Sequence, residues 1–151
     1  MKAIFETRFA RIGETSAHYS TNAKIDSSQE AKHFVRHYLN DYLSDKLDQE
    51  EFLIAILDTK KHVRRVVRIT RGLLDCSLVH PREVFRPAIA DAASAILLIH
   101  NHPSGDPTPS SIDISITKRL MECGRILGID VLDHVVNGES HAVSLRESGL
   151  C

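Results

Sequence analysis

The stretch that most constrains this chain is the apolar run Ala95-Ile96-Leu97-Leu98-Ile99, which ends in His100-Asn101-His102 and the loop Pro103-Ser104-Gly105-Asp106-Pro107-Thr108-Pro109. Ser110-Ser111-Ile112-Asp113 then opens a new periodic segment. A short apolar run bounded by turn residues reads as a buried strand. Side chains two apart on a strand share a face, so His100 and His102 can grip one ion. Asp113, eleven residues after His102, would supply a third ligand and leave a fourth tetrahedral position open, as a catalytic zinc site requires. Three prolines and a glycine stiffen the connecting loop, which suits preorganised ligands. A plainer reading covers two of the same residues. Ser110-x-x-Asp113 is a variant of the helix capping box, with Asp113 favourably placed near the positive helix terminus.

With 151 residues the chain is large enough for one domain with a real core, and 42% apolar and 26% charged residues are ordinary for a soluble fold. The formal net charge of -1 supplies no global attraction to nucleic acid or to an anionic membrane. Cys76, Cys123 and Cys151 are scattered and odd in number, which argues against a disulfide framework or cysteine zinc knuckle and for a reducing, cytoplasmic location. No apolar run approaches membrane-spanning length.

Residues 1–26 read as a poorly defined N-terminal segment, with a short strand over 4–12 and then a polar loop; residues 27–151 read as a single domain. Ser27-x-x-Glu30 opens a helix whose stripe is Ala31, Phe34, Val35, Tyr38, Leu39, Tyr42 and Leu43. Residues 51–58 and 62–70 read as a hairpin closed by Thr59-Lys60-Lys61. Val63, Arg65, Val67 and Ile69 would share one face of its second strand, and Arg64, Val66, Arg68 and Thr70 the other. That second face could touch a phosphate backbone, but at this net charge a solvated face is the better explanation. Pro81 begins a second helix through Ala92, with Pro87 a candidate kink. A third helix, from Ser111 to about Gly128, presents Ile112, Ile116, Leu120, Cys123 and Leu127. Residues 129–136 and 140–145 form a closing hairpin around Asn137-Gly138. Helix, hairpin, helix, strand, helix, hairpin describes an α/β or α+β sandwich, a mixed sheet flanked by helices.

Hydrolysis at such a site needs a carboxylate to move a proton, and there is no His-Glu-x-x-His helix to provide it. Glu50, Glu51 and Glu83 are the candidates, and spacing alone does not separate them. Cys76 with His80 is a remote nucleophile pair, because no third orienting residue is evident.

His100-x-His102 with Asp113, together with Pro109-Ser110-x-x-Asp113, is similar to the JAMM signature of the JAB/MPN zinc metallopeptidases. The string His-Asn-His-Pro-Ser-Gly-Asp-Pro-Thr-Pro-Ser, Val79-His80-Pro81-Arg82-Glu83-Val84-Phe85 and Leu132-Asp133-His134 resemble the RadC-like branch more closely, over roughly residues 45–150. The resemblance implies the JAB1/MPN (cytidine deaminase-like) sandwich. It implies one zinc ion per chain on His100, His102 and Asp113, with Ser110 helping to stabilise an oxyanion. It selects Glu50 as the base through its Glu-x-Phe opening, with Glu83 the runner-up and Asp133-His134 a candidate outer shell. The activity implied is cleavage of a peptide or isopeptide bond in a protein substrate. The alternative is a DNA-repair-associated protein that binds or cleaves nucleic acid without peptidase turnover. Longer RadC-like proteins carry a helix-hairpin-helix region, whereas the 49 residues before Glu50 hold a single glycine, Gly13. No membrane partner is expected, and the sequence carries no signal for the oligomeric state.

Overall fold

β4 (Ala95–Asn101) is buried along its whole length because a strand lies on each side of it and helices cover both faces. In the computed structural model, residues 16–17, 23–42, 49–72 and 79–151 are described, without the side chains of 16–17 and 39–42. Among them the order is β1 (Ser16–Ala17), α1 (Ser28–Tyr42), β2 (Glu51–Leu57), β3 (Val63–Arg71), α2 (Pro81–Ala90), β4, α3 (Ser111–Leu127), β5 (Asp130–Asn137) and β6 (Ala142–Ser144). The sheet runs β1-β3-β2-β4-β5-β6; β4 and β5 are parallel and every other pair is antiparallel. This is the expected mixed sheet flanked by helices. The strand expected over 4–12, Leu43 and Cys76 lie outside the described residues, as do the side chains of Leu39 and Tyr42. β1 falls in the stretch read as a polar loop, where it pairs with Val66 and Val67 of β3.

Two apolar clusters hold the layers together. On one face Ala31, Phe34, Val35 and Tyr38 of α1 pack on Leu53, Ala55, Leu57, Val66, Leu97, Ile99 and Val135. On the other, Val84, Phe85 and Ala88 of α2 and Ile116 and Leu120 of α3 pack on Phe52, Ile54, Ile56, Val67, Ile96 and Leu98. Each large side chain so buried contributes about 1.5–3 kcal/mol. Local signals set the helix starts. Ser27 Oγ accepts the Glu30 amide at 3.2 Å, while the Glu30 carboxylate reaches one residue further back, to the Asp26 amide at 2.6 Å. His80 caps α2 by accepting the Arg82 amide, and Pro81 occupies the first turn. Pro87 lies inside α2.

Three details of periodicity differ from the sequence reading. The β2–β3 register slips between Ile56 and Leu57 and again between Phe52 and Leu53, leaving Arg64 and Ile69 without opposing residues. Beyond Arg64 the alternation reverses, so Val63 packs towards α1 whereas Val67 and Ile69 pack towards α2 and α3. Arg64 and Arg68 do not make the expected basic face: Arg68 pairs with Glu51 at 3.3 Å and Arg64 projects outward near Asp58, while Arg65, on the other face, is buried against Asp91 at 2.9 Å. On α3 the buried stripe is Asp113, Ile116, Thr117, Leu120 and Gly124; Ile112 and Leu127 are 41% and 48% exposed. A polar aspartate takes the place of Ile112 in the buried stripe, which no apolar count can reveal. The closing hairpin also differs, because Asn137 still pairs with Ala142, and residues 138–141 make a four-residue loop in place of a two-residue turn.

Gly124 marks a close approach of backbones. A Cβ there would lie 2.4 Å from the Ile129 carbonyl oxygen and 3.2 Å from Val131 Cγ2. Since the Ile129 amide is itself bonded to the Gly124 carbonyl at 2.9 Å, the Ile129 carbonyl cannot easily yield, and Gly124→Ala is expected to destabilise the fold by about 1–3 kcal/mol, read from the urea midpoint at unchanged slope.

Candidate metal centre

β4 carries His100 to the edge of the α3 side of the sheet, paired with Phe52 of β2 and Val136 of β5. The strand ends at Asn101, so His102 belongs to the following loop and not to the strand, and the two rings meet edge to face, 4.7 Å apart at 87°. α3 then begins with Ser110 as cap. Ser110 Oγ accepts the Asp113 amide at 3.1 Å and Asp113 Oδ2 accepts the Ser110 amide at 2.7 Å, completing the capping box. That box delivers the Asp113 carboxylate to the histidines: Oδ1 lies 3.1 Å from His100 Nδ1 and Oδ2 lies 3.2 Å from His102 Nε2. The capping box thus also sets the carboxylate where a ligand to the same ion as the two imidazoles would stand.

Nδ1 of His102 lies 2.8 Å from the Asp106 carbonyl oxygen, which can only accept, so Nδ1 carries the proton of this bond. Nε2 is then either a lone pair facing a carboxylate oxygen or the second N–H of an imidazolium. A cation, proton or metal, is needed between the two atoms. The hydrogen bond to Asp113 raises the His102 imidazole above its ordinary value against the effect of partial burial, helped by the Asp106 carbonyl and by the charge of Glu50. Burial opposes ionisation of Asp113, yet the two imidazoles and the Ser110 amide outweigh it and hold this carboxyl well below the usual range.

His100 Nε2 and His134 Nε2 are buried without a hydrogen bond, while His100 Nδ1 and Asp113 Oδ1 face each other at 3.1 Å without the alignment of one. Leaving such groups unpaired costs about 1–3 kcal/mol each. Ligand atoms of His100, His102 and Asp113 lie within 4.8 Å of one another, so the three could hold a metal ion. Two imidazoles and a carboxylate are a donor set suited to zinc. Unpaired donors converging from a strand, a loop and a helix start fit such an ion.

The triad opens on a cavity of about 660 Å³, also lined by Gln49, Glu50, Gly72, Ser104, Ser110 and Ile112. Glu50 and Glu51 are separated here. Glu51 turns to the face covered by α1, where it is 2% exposed and pairs with Arg68 and Arg71, whereas Glu50 lines the cavity. Glu83 is absent from the lining; it sits in the first turn of α2 between Arg82 and Arg86.

Supporting residues come from elements that local sequence cannot link. Thr117 Oγ1 lies 2.6 Å from both the Asp113 carbonyl oxygen and His134 Nδ1. Asp133 turns away from the site, accepting the Ser144 hydroxyl and the His134 and Arg146 amides, so Asp133 and His134 do not act as a pair. Arg36 of α1 donates to Asn137 Oδ1 and to the Gly138 and Glu139 carbonyls; this loop in turn binds the His102 amide and the Gly105 carbonyl. Gly138 is required there, because a Cβ would lie 2.4 Å from the Gly105 oxygen. The loop that carries His102 is thus held from the far side of the sheet.

Residues 25–150 match the family described as RadC-like JAB domain. The chain is 49% identical over 126 residues to a UPF0758 protein of Desulfitobacterium hafniense, covering 83% of this chain and 53% of that one. It is 52% identical over 103 residues to a UPF0758 protein of Caldanaerobacter subterraneus, covering 68% and 44%. A third UPF0758 protein, from Bacillus cereus, is 54% identical over 103 residues, covering 68% and 46%. The chain spans about half the length of the curated relatives it matches. Among the described residues, no helix is long and apolar enough to cross a membrane.

Proposed function

This chain belongs to the RadC-like JAB-domain family, and from that premise we propose that it is a zinc-dependent hydrolase cleaving a peptide or isopeptide bond. The observation that supports the reading best is the joint placement of Glu50 and the buried His100–His102–Asp113 group on one cavity. Zinc held by these three residues would supply a water acidified towards neutrality and a Lewis acid for the scissile carbonyl. Glu50, at the cavity wall, takes the proton of the attacking water and returns it to the leaving amine. Ser110 Oγ already accepts the Asp113 amide, so its own O–H proton remains to be donated to the carbonyl oxygen as negative charge develops there. Asp113, kept ionised by its neighbours, balances part of the metal charge. The described lining holds no lysine or arginine, which favours an uncharged amide over a phosphodiester.

Glu50→Gln is expected to keep one zinc per chain while losing about 10²–10⁴-fold in cleavage rate, measured on a pooled fluorogenic library of peptides and ε-lysyl isopeptides. Full activity in this variant, or purified protein without stoichiometric zinc, would sink the proposal.

A further inference from the structure

Asn101, the residue between the two histidines, is almost fully buried. Its Oδ1 accepts the Glu51 amide at 2.7 Å and its Nδ2 donates to the Gln49 carbonyl at 3.0 Å. Only one orientation of the amide satisfies both bonds, because an N–H must meet an acceptor and a C=O a donor. The two bonds bracket the backbone of Glu50 from before and after. A third fixes the same residue, as the Gly72 amide donates to the Glu50 carbonyl at 2.8 Å. Asn101 therefore ties the residue before β2 to the strand end that carries His100. Glu50 itself lies outside β2, which begins at Glu51, so the regular sheet ladder does not fix its φ and ψ.

We propose that Asn101 is a positioning residue which holds the Glu50 carboxylate against the metal centre. The alternation that turns His100 into the site turns Asn101 away from it, to where a side-chain amide can span residues 49 and 51. An aliphatic residue would leave the Glu51 N–H and the Gln49 carbonyl without these partners. The inference rests on the reading of Glu50 as the base.

The test uses cobalt-loaded full-length protein, whose visible absorption bands report the ionisation state around the ion without any knowledge of the substrate. In Glu50→Gln the pH midpoint of the band change is expected to move by roughly half a unit or more. Asn101→Ala should move it in the same direction with cobalt stoichiometry unchanged, and should speed hydrogen exchange at the Glu51 amide about tenfold or more. Asn101→Leu is the second variant, should alanine fail to fold; it fills the same buried space without a charge and without either hydrogen bond, and the same shift is expected. A midpoint that moves in Glu50→Gln and stays fixed in both Asn101 variants would overturn the role of Asn101 alone. Loss of cobalt from the Asn101 variants would overturn it too, since the residue would then act on the ligands. No movement in Glu50→Gln itself would remove the base assignment and this inference together.

Discussion

Asp113→Asn is expected to abolish stoichiometric zinc binding while leaving α3 in place. The two functions of the carboxylate separate in this variant. An asparagine oxygen can still accept the Ser110 amide that Asp113 Oδ2 now accepts at 2.7 Å, so the helix start survives. It cannot offer the anionic oxygen that lies 3.1 Å from His100. Affinity should fall by more than the roughly 10–100-fold that follows loss of an outer partner. Competition with a chromogenic chelator measures this directly. A second measurement is thermal: zinc at 100 times its dissociation constant should stabilise the parent by about 2.7 kcal/mol, and that increment should vanish in the variant. Unchanged zinc content in Asp113→Asn would show that the ligands lie elsewhere.

The second large effect is in the pH dependence of the metal-free protein. Burial, reinforced by the neighbouring His100, pushes the His134 imidazole down to about 3. An unfolded histidine titrates near 6.5, so between these values the unfolded chain binds a proton that the folded one refuses. Folded stability is therefore expected to fall on acidification through that window, at a slope approaching about 1.4 kcal/mol per pH unit. Other groups bound the window. Asp113, whose folded value is depressed, loses its contribution only as pH drops below the ordinary carboxylate range, adding to the same trend. His102, whose value is raised, contributes stability below about 6.5 and loses it as pH rises through its folded value. Urea midpoints between about pH 4.5 and 6 isolate His134. His134→Gln should flatten the slope there, and an undiminished slope would refute the assignment.

The convergence of His100, His102 and Asp113 was legible in the sequence because its geometry is local. A strand end, a loop stiffened by prolines and a capping box fix where His100 and Asp113 stand, and short-range bonds enforce each part. The helix starts at Ser27 and Pro81 were legible for the same reason. Arg64 was not, because a bulge is invisible to a periodicity of two and reverses the faces that follow until the second slip at Ile69. The buried stripe of α3 was misread at Ile112 and Leu127, since the residue that faces inward at its start is Asp113.

The sequence by itself determined a buried strand that reaches His100, the cap that returns a carboxylate to the two imidazoles, and the order of helices and strands from Ser27 onward. Only the tertiary structure separates Glu50, which lines the cavity, from Glu51, which is buried against Arg68 and Arg71. Adjacent residues entering a strand point to opposite faces, so the choice turns on which face α3 covers and on the pairing of Phe52 with His100. Both are set by packing between segments some 50 residues apart, and no local pattern records them.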